Sequence, residues 1–346
     1  MSKVLVTGSG GYIGSVLTPM LAARGWDVVG LDAGYFEGCD LGQPVAGPPT
    51  IEKDIRDVVP TDVAGFDGII HLAGLSNDPL GELNPELTSD INFRATVRLA
   101  AAAREAGVPR FVFSSSCSVY GARSDAPVDE TGELDPLTAY ASSKVLSEQA
   151  IAPMASRDFC PVFLRNATVY GLSPRLRFDL VVNNLAGWAH TMGTIRILSD
   201  GSPWRPLIHV RDVSAAFIAA LEAPPERVWN RSVNVGAGRD NYTVRQIATL
   251  VNEAFPECQV TFSDDPPADS RSYQVDFSKL SRVLPEFEPS CSLPQGIAEL
   301  RDAFRAANVT LEDFQGPRYT RLKHIQELLQ QGELDVNLRR TAAVGA

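Results

Sequence analysis

Residues 3–25, KVLVTGSGGYIGSVLTPMLAARG, leave this chain few folds to choose from. A β-branched run stops at a glycine, three glycines follow three apart (Gly8, Gly11, Gly14), and an apolar helical pattern continues to Gly25. The same alternation returns through DVVGLDA, DGIIHLAG, the helical INFRATVRLAAAAREAG, RFVFSSS, the helical AYASSKVLSEQAIA and PVFLRNATVYG. Strands alternating with helices of this length predict βαβ units, hence an α/β fold with a doubly wound parallel sheet of the Rossmann type. Gly25 and Gly107 stand where two of the helices should end.

The rhythm changes after residue 172. Loops containing Arg, Pro and Trp (GLSPRLRFD, SDGSPWRPLIHV) separate helices such as RDVSAAFIAALEA and VRQIATLVNEAF. The expected organisation is a dinucleotide-binding domain over 1–172 and a smaller mixed substrate-binding region over 173–310, some of whose elements return to the first domain. A helical extension over 311–346 contains RLKHIQELLQQGELD. SDDPPADS is expected to be an exposed loop and TAAVGA a frayed end.

Each glycine of the first turn has a physical reason in this context. One makes the tight turn, one lets the backbone approach a pyrophosphate, and one permits close helix–strand packing. The helix that follows offers free N–H groups and a positive dipole end to the anion. Gly8, Gly11, Tyr12, Ile13 and Gly14 are therefore candidate cofactor contacts. Asp32 closes the second strand 18 positions past Gly14, where a carboxylate accepts from ribose hydroxyls and repels a 2′-phosphate. No arginine follows it at once, so NAD is expected rather than NADP.

Tyr140 and Lys144 are four apart on a predicted helix and share one face. A lysine so placed can stabilise a phenolate, lowering the tyrosine pKa from about 10 by roughly 1–3. That tyrosine could take a proton from a substrate hydroxyl while a hydride leaves the same carbon. SSSCSVYG, at 114–121, ends the neighbouring strand and offers hydroxyls to hold that oxygen.

In combination these motifs resemble the extended short-chain dehydrogenase/reductases, and within them the NAD-dependent epimerase/dehydratase family acting on nucleotide sugars. The resemblance rests on TGSGGYIG at 7–14, HLAG at 71–74, SSS…VYG at 114–121, YASSK at 140–144, WRPLIHVRDV at 204–213 and NVGAG at 234–238. It implies Ser116 as catalytic hydroxyl, Tyr140 as general base and acid, and Lys144 as the residue that tunes it and binds the nicotinamide ribose. It places Asp54 and Ile55 at the adenine and Leu72, Ala73 and Gly74 beside the cofactor. Arg205 and Arg271 match positions that hold the substrate diphosphate, and Ser76 and Asn77 of GLSNDP lie where a loop meets the sugar.

The chain departs from the family pattern in two places. Thr168 replaces an asparagine that contacts the substrate phosphate, and Arg175 and Arg177 just beyond it either compensate or are solvated surface arginines. Where 4,6-dehydratases carry Thr-Asp-Glu, this chain reads Ser116, Cys117, Ser118, so no carboxylate is available for dehydration of that kind. Cys117 is expected to be a small buried thiol rather than a proton carrier. The 311–346 segment lies outside the family core and resembles an extension in a subset of members, covering the C-terminal region or a dimer edge.

The leading expectation is a nucleotide-sugar 4-epimerase working through a transient 4-keto sugar. The alternative is a dehydrogenase or ketoreductase with net hydride transfer, and a third reading is a non-catalytic dinucleotide-binding protein. The resemblance implies a homodimer through helices near 88–106 and 138–155. A net charge of −11 disfavours nucleic acid without excluding anionic small molecules. No apolar run reaches the length of a membrane span, and the chain enters its first strand without a secretory signal, so a cytoplasmic protein is expected. Five scattered cysteines without a C-x-x-C pair point to a reducing compartment, and the spacing of the four histidines suggests no metal.

Overall fold

The computed structural model describes residues 1–262 and 272–341. Arg271, the expected SDDPPADS loop and all but Thr341 of TAAVGA lie outside them. The strands run, in chain order, β1 Lys3–Thr7, β2 Asp27–Asp32, β3 Thr50–Glu52, β4 Gly68–His71, β5 Arg110–Ser116, β6 Arg123–Val128 and β7 Cys160–Asn166. They continue as β8 Thr168–Tyr170, β9 Thr194–Ile197, β10 Trp204–His209, β11 Arg231–Val235, β12 Asn241–Thr243, β13 Gln259–Phe262 and β14 Tyr273–Val275.

Seven strands form one sheet in the order β3-β2-β1-β4-β5-β7-β11, and every pair in it is parallel. The order reverses between β1 and β4, so the crossovers diverge there and leave a crevice at the carboxyl ends of the strands. Side chains alternate across the sheet with period two. Val4, Val6, Ile70, Val112 and Val162 meet Leu17 and Leu21 of helix Gly14–Ala23 and Val213 and Phe217 of helix Val210–Glu222. Leu5, Ile69, Phe111, Phe113 and Phe163 point the other way, onto Leu99 of helix Ala95–Glu105. With both faces covered, the strands are apolar on both sides, which is why they read as continuous runs.

A third core joins helices Val181–Met192, Val244–Ala254 and Leu293–Ala306 through Leu185, Ile247, Leu300 and Phe304. Beside it β10 pairs with β8 in parallel and β12 in antiparallel. The C-terminal segment covers more than this region. Phe314 and Tyr319 join the third core, but Ile325 and Leu328 of helix Arg321–Gln330, with Leu334 and Leu338, enter the core on the Leu99 face of the large sheet. Among the described residues no helix is long and apolar enough to cross a membrane.

The helix expected from residue 91 starts earlier and is not uniform. A turn at Pro85–Thr88, capped by Asn84, leads into a wide π-helical turn at Ser89–Arg94 before the regular helix Ala95–Glu105. In that wide turn Asn92 points inward, accepting from Leu75 N at 2.7 Å and donating to Leu75 O at 2.9 Å. Bulges of this kind serve functional sites, and this one pins the loop that follows β4.

His71, the last residue of β4, ties three elements together. Thr96 spends its proton on the Asn92 carbonyl, so the His71 Nε2–H donates to Thr96 Oγ1 at 2.7 Å and Nδ1 accepts from Thr7 Oγ1 at 2.6 Å. Burial, with the charge of Lys144, pushes its pKa down to about 3. A histidine held neutral in the folded state contributes stability above its ordinary pKa near 6.5 that is lost as pH falls toward 3, because the unfolded chain takes up the proton first. Denaturation of wild type and His71→Gln at pH 6 to pH 4 should show a shallower pH slope in the variant, by up to about 1.4 kcal/mol per pH unit.

Candidate active site

The glycine-rich turn sits at the reversal point, between β1 and the helix Gly14–Ala23. Gly8 has φ +71°, and a Cβ there would lie 2.8 Å from the Ala73 nitrogen. A Cβ on Gly14 would meet the Gly8 carbonyl oxygen at 2.3 Å, so this glycine lets the helix settle on its own turn. At Gly11 a Cβ would contact only the Gly8 oxygen, at 3.1 Å, and otherwise occupy the mouth of a cavity of about 840 Å³. The first turn of the helix carries no acid, so its N–H dipole faces that space without a competing charge. This is a cradle for an anion, and a dinucleotide pyrophosphate fits it.

Gly8, Gly11, Tyr12, Ile13, Gly14 and Asp32 all line the cavity. The Asp32 carboxylate accepts from Gly10 N at 2.9 Å and Gly34 N at 2.8 Å. Burial raises its pKa above the ordinary carboxylate value, opposed by those two bonds. Leu72, Ala73 and Gly74 form the adjoining wall, with Ala73 N donating to Thr7 Oγ1 at 3.3 Å. Asp54 and Ile55 line it too, but the Asp54 carboxylate is engaged by its own chain: Arg56 reaches it at 2.6 Å and Arg339 at 3.2 Å.

Ser116 ends β5 and Tyr140 and Lys144 share a face of helix Ala139–Ile151, whose start is capped by Thr138 Oγ1 accepting from Ala141 N at 3.1 Å. All three line the same cavity. The Ser116 Oγ accepts from Ser118 N at 3.1 Å and Ser118 Oγ at 2.9 Å, and it lies near enough to the Tyr140 phenol to favour its ionised form. Lys144 Nζ donates to the Ser114 carbonyl at 2.8 Å and lies 5.4 Å from the Tyr140 ring centroid.

Burial, aided by Asp78, pushes the Tyr140 phenol up to about 12, and the groups that oppose it are Ser116 and Arg177, not Lys144. The Lys144 ammonium points at the Ser114 carbonyl and stands over the Phe113 ring at 4.8 Å. Burial also pushes Lys144 itself down to about 8.

The far wall carries Ser76, Asn77, Thr168, Arg177 and Arg205. Arg177 pairs with Asp179 at 2.8 Å, and Asp179 accepts from Asn77 Nδ2 at 2.6 Å, linking two loops across the cavity. Arg175 does not line it. Its guanidinium turns away to Asp40 at 3.2 Å and to the Phe36 carbonyl, because the turn at residues 174–175 breaks the alternation that puts neighbours two apart on one face. Sequence reasoning missed Tyr35, Phe36, Arg196 and Arg321, which also line the cavity. Nothing local marks Arg321, which comes from the C-terminal helix.

The family model for the NAD dependent epimerase/dehydratase family matches residues 4–236. A UDP-glucose 4-epimerase of Mycolicibacterium smegmatis is 31% identical over 318 residues, covering 88% of this chain and 98% of that protein. The structure of MoeE5 in complex with UDP-glucose and NAD superposes with a TM-score of 0.76 at 28% identity, covering 89% of this chain and all of that one (100%). TunA, an NAD dependent NDP-hexosamine 5,6-dehydratase, superposes with a TM-score of 0.78 at 25% identity, covering 88% and 98%.

Epimerisation and loss of water differ in their need for acid–base groups beyond the serine and tyrosine, which makes the environment of Cys117 informative. Cys117 is fully buried, does not line the cavity, and donates from Sγ to the Arg165 carbonyl at 3.1 Å. Burial pushes its thiol far above the ordinary value. Of the five cysteines only Cys291 is partly exposed, so a thiol reagent should modify one of five in the native protein and all five after denaturation. Cys117→Ala should fall well short of the roughly 10²- to 10⁴-fold loss of turnover that removing an acid–base group causes.

Proposed function

Because the chain belongs to the NAD dependent epimerase/dehydratase family, we propose that it is an NAD-dependent nucleotide-sugar 4-epimerase. The observation that carries this reading is the convergence of Ser116, Tyr140 and Lys144 on one cavity, beside a string whose next two positions offer a buried thiol and a hydroxyl but no carboxylate. In this reading the glycine turn holds the cofactor pyrophosphate with Tyr12 and Ile13, Asp32 holds the adenosine ribose, Ile55 lies at the adenine and Lys144 holds the nicotinamide ribose. Leu72, Ala73 and Gly74 form the wall beside it. Thr168, Arg177 and Arg205, with Arg271, would take the diphosphate of a nucleotide sugar, and Ser76 and Asn77 would meet its sugar.

Bound NAD supplies a hydride acceptor that becomes the donor once reduced, and its cationic ring favours the phenolate. Ser116 holds the C4 oxygen, and Tyr140 takes the proton of the C4 hydroxyl as that carbon is oxidised. The transient 4-keto sugar then presents its other face, and Tyr140 returns the proton to the re-formed hydroxyl. The cavity as a whole, about 840 Å³, lies at the upper end of the range for ligand sites. We also propose that residues 1–172 serve mainly the cofactor and 173–310 mainly the substrate. The protein would work in the cytoplasm as a homodimer through the helices near 88–106 and 138–155, where Leu146 is exposed.

The test is to mix the purified protein with NAD and UDP-, dTDP- and GDP-sugars, following absorbance at 340 nm and separating products by chromatography. An epimerised sugar with no net absorbance change is expected, and steady accumulation of NADH would establish a dehydrogenase instead. Tyr140→Phe should lose at least about 10²-fold in turnover, the lower bound for an acid–base group, while retaining NAD. Light scattering should return twice the mass of the chain.

A further inference from the structure

Arg321 is the first residue of helix Arg321–Gln330, within the C-terminal extension and beyond the residues matched by the family model. Only 2% of it is exposed, and it lines the same cavity as the glycine turn and Asp32. Its guanidinium lies 3.9 Å from the Phe36 ring centroid, and Nη2 donates to the Arg175 carbonyl at 3.2 Å. Nη1 is buried with no hydrogen-bond partner. A buried donor of a charged group left unpaired is costly, and protein interiors tolerate it where a ligand completes the site.

The charges around it do not complete it. Two further guanidiniums, Arg175 and Arg177, stand nearby, and their carboxylates are already committed, Asp40 to Arg175 at 3.2 Å and Asp179 to Arg177 at 2.8 Å. Asp32 feels the charge of Arg321 only at a distance, and each of its oxygens already accepts from one backbone N–H group. Burial, together with Arg177 and Arg175, pushes the Arg321 pKa down to about 9. Arg321 is therefore a buried guanidinium with no carboxylate paired to it directly, close enough to Asp32 and Tyr12 for its charge to be felt at both.

We infer that Arg321 is a ligand of the pyrophosphate of bound NAD, delivered to the cofactor by the C-terminal helix. This rests on the NAD reading above. A pyrophosphate offers the two things Arg321 lacks, an acceptor for Nη1 and negative charge, and guanidinium groups bind it in a bidentate fork that no lysine reproduces. The cavity also has room for a second diphosphate, that of the substrate. Proximity to Asp32 and Phe36, on the wall that follows β2, assigns the arginine to the cofactor end.

The experiment is calorimetric titration of wild type, Arg321→Met and Arg321→Lys with ADP-ribose, adenosine and UDP, alongside thermal melts with and without NAD. Arg321→Met should weaken ADP-ribose by about ten- to hundred-fold, as for loss of a charged hydrogen bond, with adenosine and UDP unchanged and Arg321→Lys intermediate. The free Met variant should melt at or above the wild-type temperature, because a buried unpaired charge is gone, while its NAD-induced rise shrinks. Weakened UDP with unchanged ADP-ribose would move Arg321 to the substrate end and overturn the inference. Unchanged affinity for all three ligands would reduce it to a strut on Phe36. Wild-type protein that binds neither ADP-ribose nor NAD would instead sink the cofactor reading itself.

Discussion

The site depends first on how closely the turn after β1 approaches the end of β4. Gly8 passes so near Leu72 and Ala73 that even a methyl group would collide with backbone. That approach lets Leu72 N donate to the Thr7 carbonyl at 3.1 Å and Ala73 N to the Thr7 hydroxyl, and it places His71 between Thr7 and Thr96. One backbone contact thus positions both walls of the cofactor crevice. On that platform β2 adds Asp32 and β5 adds Ser116 to the lining of the cavity.

Strand β5, which ends at Ser116, is held from beneath by a second constraint. Ser115, between the two serines that face Lys144 and Tyr140, donates instead to Glu148, which also receives Arg165 Nη2 at 2.7 Å and Ser232 Oγ at 2.9 Å. Arg165 Nη1 in turn donates to Tyr120 at 3.0 Å. Both charged groups are buried, and breaking such a pair by removing one partner costs about 3–5 kcal/mol, against about 0–1 for a surface pair. The hydroxyls of SSSCSVYG are therefore divided between two tasks. Ser116 and Ser118 serve the cavity, while Ser115, Cys117 and Tyr120 fix the strand end that carries them.

What the sequence made legible follows from the range of each interaction. The glycine spacing, Asp32 and the Tyr140/Lys144 pair are local patterns whose meaning is set within one strand–turn–helix unit, and all of them line the cavity. Arg175 and Arg177 could not be told apart in the sequence, because their difference lies in partners: Asp40 and Phe36, some 135–140 positions away, for one, and the Tyr12 ring, at 5.9 Å, for the other. The π-helical turn was equally hidden, since it is Asn92 reaching back to Leu75 that gives it a purpose. The partner of the Lys144 ammonium was hidden for a related reason. Sequence spacing puts Lys144 on the right helix face but does not show that the Ser114 carbonyl claims its ammonium.

The C-terminal extension is the largest feature no motif foretold, and its contacts have a common form. The segment that follows β2 exposes carbonyls that no strand partner satisfies, and buried carbonyls require donors. Distant groups supply them: Arg340 to Gly34, His324 to Tyr35, Arg175 to Phe36, and both Arg318 and the Tyr319 hydroxyl to Asp40. Meanwhile the Leu338 carbonyl receives the Tyr35 hydroxyl and Arg56, so the strap is bonded in both directions. The segment after β2, which borders the cavity through Tyr35 and Phe36, is thus held by the chain's own far end, and moving it means breaking several charge-assisted bonds at once.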